Sequence, residues 1–126
     1  MKKFNPVKSS DDKISLLEVF DNSYPARDYI IIHNASEFTS VCPKTGQPDF
    51  GNITISYIAN KKCVELKSLK FYLQSFRNEG IFYENVINRI LDDLVKVMKP
   101  KWMEVTGNFS VRGGIQSRIS ASYGKK

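Results

Sequence analysis

The stretch Thr39-Ser40-Val41-Cys42-Pro43-Lys44-Thr45-Gly46-Gln47-Pro48-Asp49-Phe50-Gly51 carries a thiol and a carboxyl seven residues apart. That pair is a minimal kit for covalent catalysis: the sulfur attacks an electrophilic carbon, and the acid moves a proton to the atom that gains charge. Pro43 fixes its own φ and biases Cys42 toward extended backbone. Thr45-Gly46-Gln47-Pro48 reads as a tight turn or Ω-like loop. Folding that loop back would bring Cys42 and Asp49 to the mouth of one pocket. Taken alone, the stretch reads more readily as a packed, inert thiol, because free cysteine is among the most buried residue types.

A second stretch, Val64-Glu65-Leu66-Lys67-Ser68-Leu69-Lys70-Phe71-Tyr72, is dense in charged side chains for a strand-to-helix junction. Glu65 and Lys67 share one face of an extended segment. Lys67 and Lys70 fall at a helix start, which is unfavourable for cations on dipole grounds. An anion at the free helix N–H groups would relieve the conflict. A surface salt-bridge patch is the plainer alternative.

These residues need a scaffold, and the hydrophobic pattern supplies one. Tyr29-Ile30-Ile31-Ile32-His33 is a β-branched run that reads as a strand, with His33 at its end. Asn52 to Ile58 alternates, with Ile53, Ile55 and Tyr57 on one face. Asn60-Lys61-Lys62 is a turn, and Cys63 begins a further extended piece in which it packs as core. From Ser68, a candidate N-cap, Leu69, Tyr72, Leu73 and Phe76 recur at helical spacing until Asn78-Glu79-Gly80. A longer helix runs from Tyr83 to Met98, with Val86, Ile87, Ile90, Leu91, Leu94 and Val97 inward. Asp92, Asp93 and Lys96 form its wet face, and Pro100 stops it. Trp102 to Val111 alternates, with Met103, Val105, Phe109 and Val111 on one face. Arg112-Gly113-Gly114 turns the chain into a last strand, Ser117 to Tyr123. The order ββααββ makes an α+β domain, with two helices layered on one face of an antiparallel sheet. Residues 1–25 read as an N-terminal arm packing on a single domain of residues 26–126.

Composition sets the outer limits. The chain has 126 residues, 41% of them hydrophobic, and a formal charge of +6. One core of that size leaves little margin, so oligomerisation is expected. The charge suits an anionic ligand or nucleic acid and does not choose between them, though Lys and Arg are spread along the chain and form no dense basic run with interleaved aromatics. Two cysteines exclude a disulfide scaffold, and one histidine excludes a multi-histidine metal site. No apolar run is long enough to span a bilayer, and the N-terminus lacks the apolar core of a secretory signal. A reducing cytoplasm is the expected compartment.

The string from Glu65 to Tyr72 resembles the signature of the NADPH-dependent 7-cyano-7-deazaguanine (preQ0) reductases, the nitrile reductases of queuosine biosynthesis in tRNA modification. Cys42-Pro43-Lys44-Thr45-Gly46-Gln47-Pro48-Asp49-Phe50 is similar to their nucleophile loop. Phe82-Tyr83-Glu84, Asn88-Arg89-Ile90 and Arg112-Gly113-Gly114 follow in the same order. The resemblance covers about residue 26 to the C-terminus and the short, single-domain form. It implies a tunnelling fold whose subunits pool their sheets into an oligomeric barrel, a decamer in the short forms, with active sites between neighbours. It implies reduction of preQ0 to the aminomethyl product preQ1 with NADPH as cofactor. Cys42 would form a covalent thioimide and Asp49 would protonate the nitrile nitrogen. Val64, Glu65, Leu66, Tyr83 and Glu84 fall on substrate positions, with Glu84 reading the guanine-like edge. Lys67, Ser68 and Lys70 fall on the region that contacts NADPH phosphate. No metal, membrane or direct nucleic-acid partner is implied. The family often has His where this chain has Tyr83, and a tyrosine carries no proton near pH 7 as His does.

Three rivals remain at this stage. An amidinotransferase acting on preQ0 in tRNA would use the same Cys without NADPH, and the complete Glu65-to-Tyr72 signature argues against it. A zinc-dependent pterin enzyme of the same fold is disfavoured by the single His. A non-catalytic, basic RNA-binding module rests on the charge alone.

Overall fold

Ile53, Ile55 and Tyr57 point the same way along extended backbone and are almost wholly buried, as their alternation requires. Around that strand the computed structural model describes residues 13–126. The elements in chain order are β1 (Val19–Asp21), β2 (Ile30–Val41), β3 (Pro48–Ile58), β4 (Lys62–Val64), α1 (Leu66–Gln74), α2 (Tyr83–Met98), β5 (Trp102–Arg112) and β6 (Ile115–Gly124). The four long strands form one antiparallel sheet in the order β2-β3-β5-β6. α2 lies against β5 and β6, and α1 against β2, so both helices cover one face. The core fills the space between, with Leu69, Tyr72 and Phe76 before α2, Val86, Ile87, Ile90 and Leu94 within it, and Met103, Val105 and Phe109 from the sheet. The α+β layering is that expected from the sequence.

Several details differ. β1, within the stretch read as an N-terminal arm, pairs with β4 in a small second sheet, Phe20 opposite Cys63. β2 continues to Val41, so His33 lies within a strand and not at its end. Ser68 does not cap α1. Glu65 does, its carboxylate accepting from the amides of Lys67 (2.7 Å) and Ser68 (2.8 Å). Asp93 is not on a wet face: it is buried, and the Tyr72 hydroxyl donates to its Oδ2 at 2.6 Å. A carboxylate can enter a core when it is paired in this way.

That pair carries a prediction. Tyr72→Phe keeps the ring but leaves the buried Asp93 carboxylate short of a donor, which should cost about 1–3 kcal/mol. A lower urea midpoint with an unchanged slope would report it, and an unchanged midpoint would show that the bond contributes nothing.

Two bulges decide which residues face the helices. In β2 the register runs Ala35↔Ile53, then Phe38↔Gly51, one extra residue on the β2 side. Simple alternation from Ile31 would turn Val41 inward and Cys42 outward. The extra residue exchanges the faces, and Phe38, Ser40 and Cys42 turn toward the helix side. In β5 the register runs Phe109↔Ser117, then Arg112↔Ile115, again one extra residue. Val111, expected inside, is therefore 63% exposed, and Arg112 takes the inward direction.

Candidate active site

Cys42 directly follows β2, where the chain reverses into β3. The loop is closed by Cys42 N donating to Gln47 O and Gly46 N to Cys42 O, both 2.8 Å, with Gly46 at φ 73°. Only glycine adopts that φ without strain, so the turn needs it. Past the loop Val41 pairs with Pro48 and Ser40 with Asp49. The loop thus folds back as expected, and the ladder register beyond it makes Asp49 a diagonal cross-strand neighbour of Cys42 on the same face. The Thr45 hydroxyl, hydrogen-bonded to the thiol, holds Cys42 below its ordinary pKa. Burial opposes this, the backbone at Thr45 and Lys44 assists it, and the charge of Asp49 opposes it. A lowered thiol pKa means more thiolate at neutral pH.

Asp49 is buried and its Oδ1 is shared. The Arg112 guanidinium pairs with it at 2.7 Å and the Tyr83 hydroxyl donates to it at 3.1 Å. Arg112 also donates to Pro48 O at 2.9 Å. Burial, then the neighbouring carboxylate, pushes the Tyr83 phenol above its ordinary pKa, so it enters as a donor. Its ring stacks on Phe109, centroids 3.9 Å apart and planes within 8°. Phe109 in turn lies on two glycines. A Cβ on Gly51 would stand 2.7 Å from its ring, and one on Gly107 2.6 Å from Ile87 Cδ1. The bare backbone at these positions lets Phe109 lie flat and sets the height of Tyr83. Ser40, opposite Asp49, is buried with its hydroxyl unpartnered among the described residues.

The segment after α1 docks beside the thiol. Val41 N donates to Glu79 O at 3.0 Å and Ile81 N to Val41 O at 3.1 Å, a parallel bridge that leads directly into α2. Tyr83 and the exposed Glu84 open that helix.

The remaining residues singled out from sequence lie elsewhere. Val64 is buried and its amide donates to the Tyr57 hydroxyl at 3.2 Å. Leu66 is 59% exposed, and Lys67 and Lys70 are exposed. Ser68 is buried, its hydroxyl donating to Glu65 O and accepting from Glu18 N. The free N–H groups expected to attract an anion are already satisfied by Glu65. Two open concavities, about 470 and 610 Å³, line the sheet near Phe38, and neither includes Cys42, Asp49 or Glu84. Sequence reasoning passed over Arg112 as a partner of Asp49, and over Phe109 with its glycine floor. The Arg-Gly-Gly string was a visible signal for the first, and the glycines interrupting two apolar strands for the second.

The family model described as QueF-like protein matches residues 48–126. A Chloroherpeton thalassium protein named NADPH-dependent 7-cyano-7-deazaguanine reductase is 63% identical over 111 residues, 88% of this chain and 96% of that one. A Chlorobaculum tepidum protein of the same name is 58% identical over 110 residues, 87% of this chain and 94% of that one. The crystal structure of an archaeosine synthase QueF-Like protein in the apo form superposes with a TM-score of 0.72 at 21% identity, covering 77% of this chain and 95% of that one. That likeness shows a shared fold.

Proposed function

The chain belongs to the QueF-like family, and from that premise we propose that it reduces the nitrile of preQ0 to the aminomethyl group of preQ1 with NADPH, through a thioimide on Cys42, in queuosine biosynthesis. One observation carries the mechanism: Cys42, Asp49, Tyr83 and Arg112 converge at one end of the sheet. The Cys42 thiolate adds to the nitrile carbon, forming a C–S bond. The displaced π pair settles on nitrogen, which takes a proton from Asp49. Arg112 pairs with the same carboxylate, and the 46% exposure of the Arg112 side chain gives it room to move when substrate enters. Glu84 accepts from the guanine-like N–H edge, a charge-assisted contact. Nitrile to aminomethyl is a four-electron change, so two NADPH would each supply one hydride to that carbon, with the C–S bond breaking between the two additions to return the Cys42 thiolate. Lys67 and Lys70 fit its phosphates: both are exposed, and neither forms an ion pair with another described residue. Ser68 serves this region by fixing the start of α1. The test is NADPH oxidation on adding preQ0, and no oxidation with folded protein would refute the reading.

Two sets of residues support a site shared between copies. Asp49 begins β3, whereas Val64 sits over Tyr57 near its other end. Eight residues of strand separate them, about 26 Å at the usual rise. A bicyclic substrate cannot touch Cys42 and the Val64-Glu65-Leu66 junction of one chain, but it can touch both where two chains meet. The sheet also leaves β2 and β6, of 12 and 10 residues, as unpaired edges among the described residues. Long open edges are stabilised by pairing with another copy, as in a closed barrel. We expect a species far above the 14.4 kDa chain in solution, a decamer in the family pattern, and loss of activity on dilution that dissociates it. A fully active monomer would refute this. No helix among the described residues is long and apolar enough to cross a membrane. The cytoplasm is the proposed compartment, since a nucleophilic thiol must stay reduced.

A further inference from the structure

Glu79 is 2% exposed, and a carboxylate at such a position is costly unless it is paired. Its pairing is elaborate. The Arg89 guanidinium from α2 meets Oε2 in a short ion pair. The Lys13 ammonium stands 3.4 Å from Oε1, an ion pair more than a directed hydrogen bond, and both side chains are 3% exposed. Lys13 also donates to the carbonyl and the hydroxyl of Ser75, just past α1, and lies over the Phe76 ring at 4.6 Å. Arg89 flanks the same ring at 5.4 Å. Three distant parts of the chain thus meet on one carboxylate: the segment before β1, the α1–α2 connection and α2.

An apolar residue would fill this space at lower cost, since buried ion pairs seldom out-stabilise a well-packed hydrophobic replacement. What the ion pair fixes is direction. The backbone of the same residue accepts from Val41 N, and Ile81 two residues on donates back to Val41 O. Val41 immediately precedes Cys42, and Ile81 is two residues from Tyr83, whose hydroxyl rests on Asp49. The side chain is anchored in the core while the backbone holds the nucleophile strand on one side and the start of α2 on the other.

We propose that Glu79, clamped by Lys13 and Arg89, is a positioning residue for the nitrile chemistry, locking the 79–81 backbone against Val41 so that Cys42 and the Tyr83–Asp49 pair keep their relative placement. The inference rests on Cys42 being the nucleophile, and it assigns Lys13, in the segment before β1, a share in the site.

The test uses the full chain with Lys13→Met, Lys13→Arg and Glu79→Gln. The first readout is the rate of adduct formation on Cys42 at saturating preQ0 without NADPH, followed by intact mass. The second is amide exchange at Val41 and Ile81, which does not depend on any role for Cys42. Lys13→Met and Glu79→Gln should slow the adduct tenfold or more while the preQ0 Kd changes less than threefold. Both amides should lose protection, and Lys13→Arg should recover most of the rate. Met98→Ala, a core change in the last turn of α2, serves as a comparator for general destabilisation and should keep the wild-type adduct rate while folded. Should Lys13→Met fail to fold, Glu79→Gln and Lys13→Arg carry the decision. Wild-type adduct rates and exchange in the folded variants would overturn the clamp, as would equal slowing in Met98→Ala. Absence of any adduct in wild type would instead overturn the nucleophile reading, and the exchange data would still decide the clamp.

Discussion

Cys42→Ala should abolish preQ0 turnover, by on the order of 10⁴–10⁶-fold as for other removed nucleophiles, whereas Cys63→Ala should retain most of it. The two thiols sit in different surroundings. Cys63 is 5% exposed in the β1–β4 sheet, opposite Phe20, and has no route to a substrate without unfolding that sheet. Cys42 is partly exposed at a turn whose hydrogen bonds lower its pKa, with an acid one diagonal step away. Wild type mixed with preQ0 but no NADPH should gain the mass of one substrate at Cys42. An adduct on Cys63, or a working Cys42→Ala enzyme, would overturn the assignment. Cys63→Ala should cost stability, since it removes buried apolar volume, while leaving the adduct rate at wild-type level in the folded fraction.

The layering was readable because its signals are local. The alternation of Ile53, Ile55 and Tyr57 and the helical spacing from Val86 to Leu94 each need only a window of residues. Proximity of Cys42 to Asp49 across the folded-back loop was also readable, but the face of the sheet that they share was not. The two bulges are register shifts, decided by what the partner strand offers, and a single-strand pattern carries no record of them. That is why Val111 read as core and Arg112 as a turn residue, when the β5 bulge exchanges them. The same limit hid Asp93 and Glu79. A charged residue reads as solvated unless its partner is known, and Tyr72, Lys13 and Arg89 reach them across 10 to 66 residues of sequence. Ser68 read as the cap of α1 because serine is the commoner cap, whereas Glu65 reaches two amides at once.

Asp49→Asn should slow adduct formation by about 10²–10⁴-fold, the usual share of a general acid, with little change in preQ0 affinity. Asparagine keeps the shape, and its carbonyl still accepts from Arg112 and from the Tyr83 hydroxyl, so the placement of both should survive. What it lacks is an acidic proton to give. Nitrile carbon is a poor electrophile until its nitrogen takes up charge, so the lost proton should appear in the C–S bond-forming step and not in binding. Tyr83→Phe separates the second candidate donor. Its ring stays stacked on Phe109 and only the hydroxyl leaves, so a role confined to stacking should cost less than tenfold, about 1.4 kcal/mol. A relay role, standing in for the histidine common in the family, would leave adduct formation intact and slow the later reduction far more. Single-turnover measurements that resolve adduct formation from NADPH oxidation distinguish the two. A normal adduct rate in Asp49→Asn would remove Asp49 as the acid and leave the Tyr83 hydroxyl, already directed into the site by the Phe109 stack, as the group to test next.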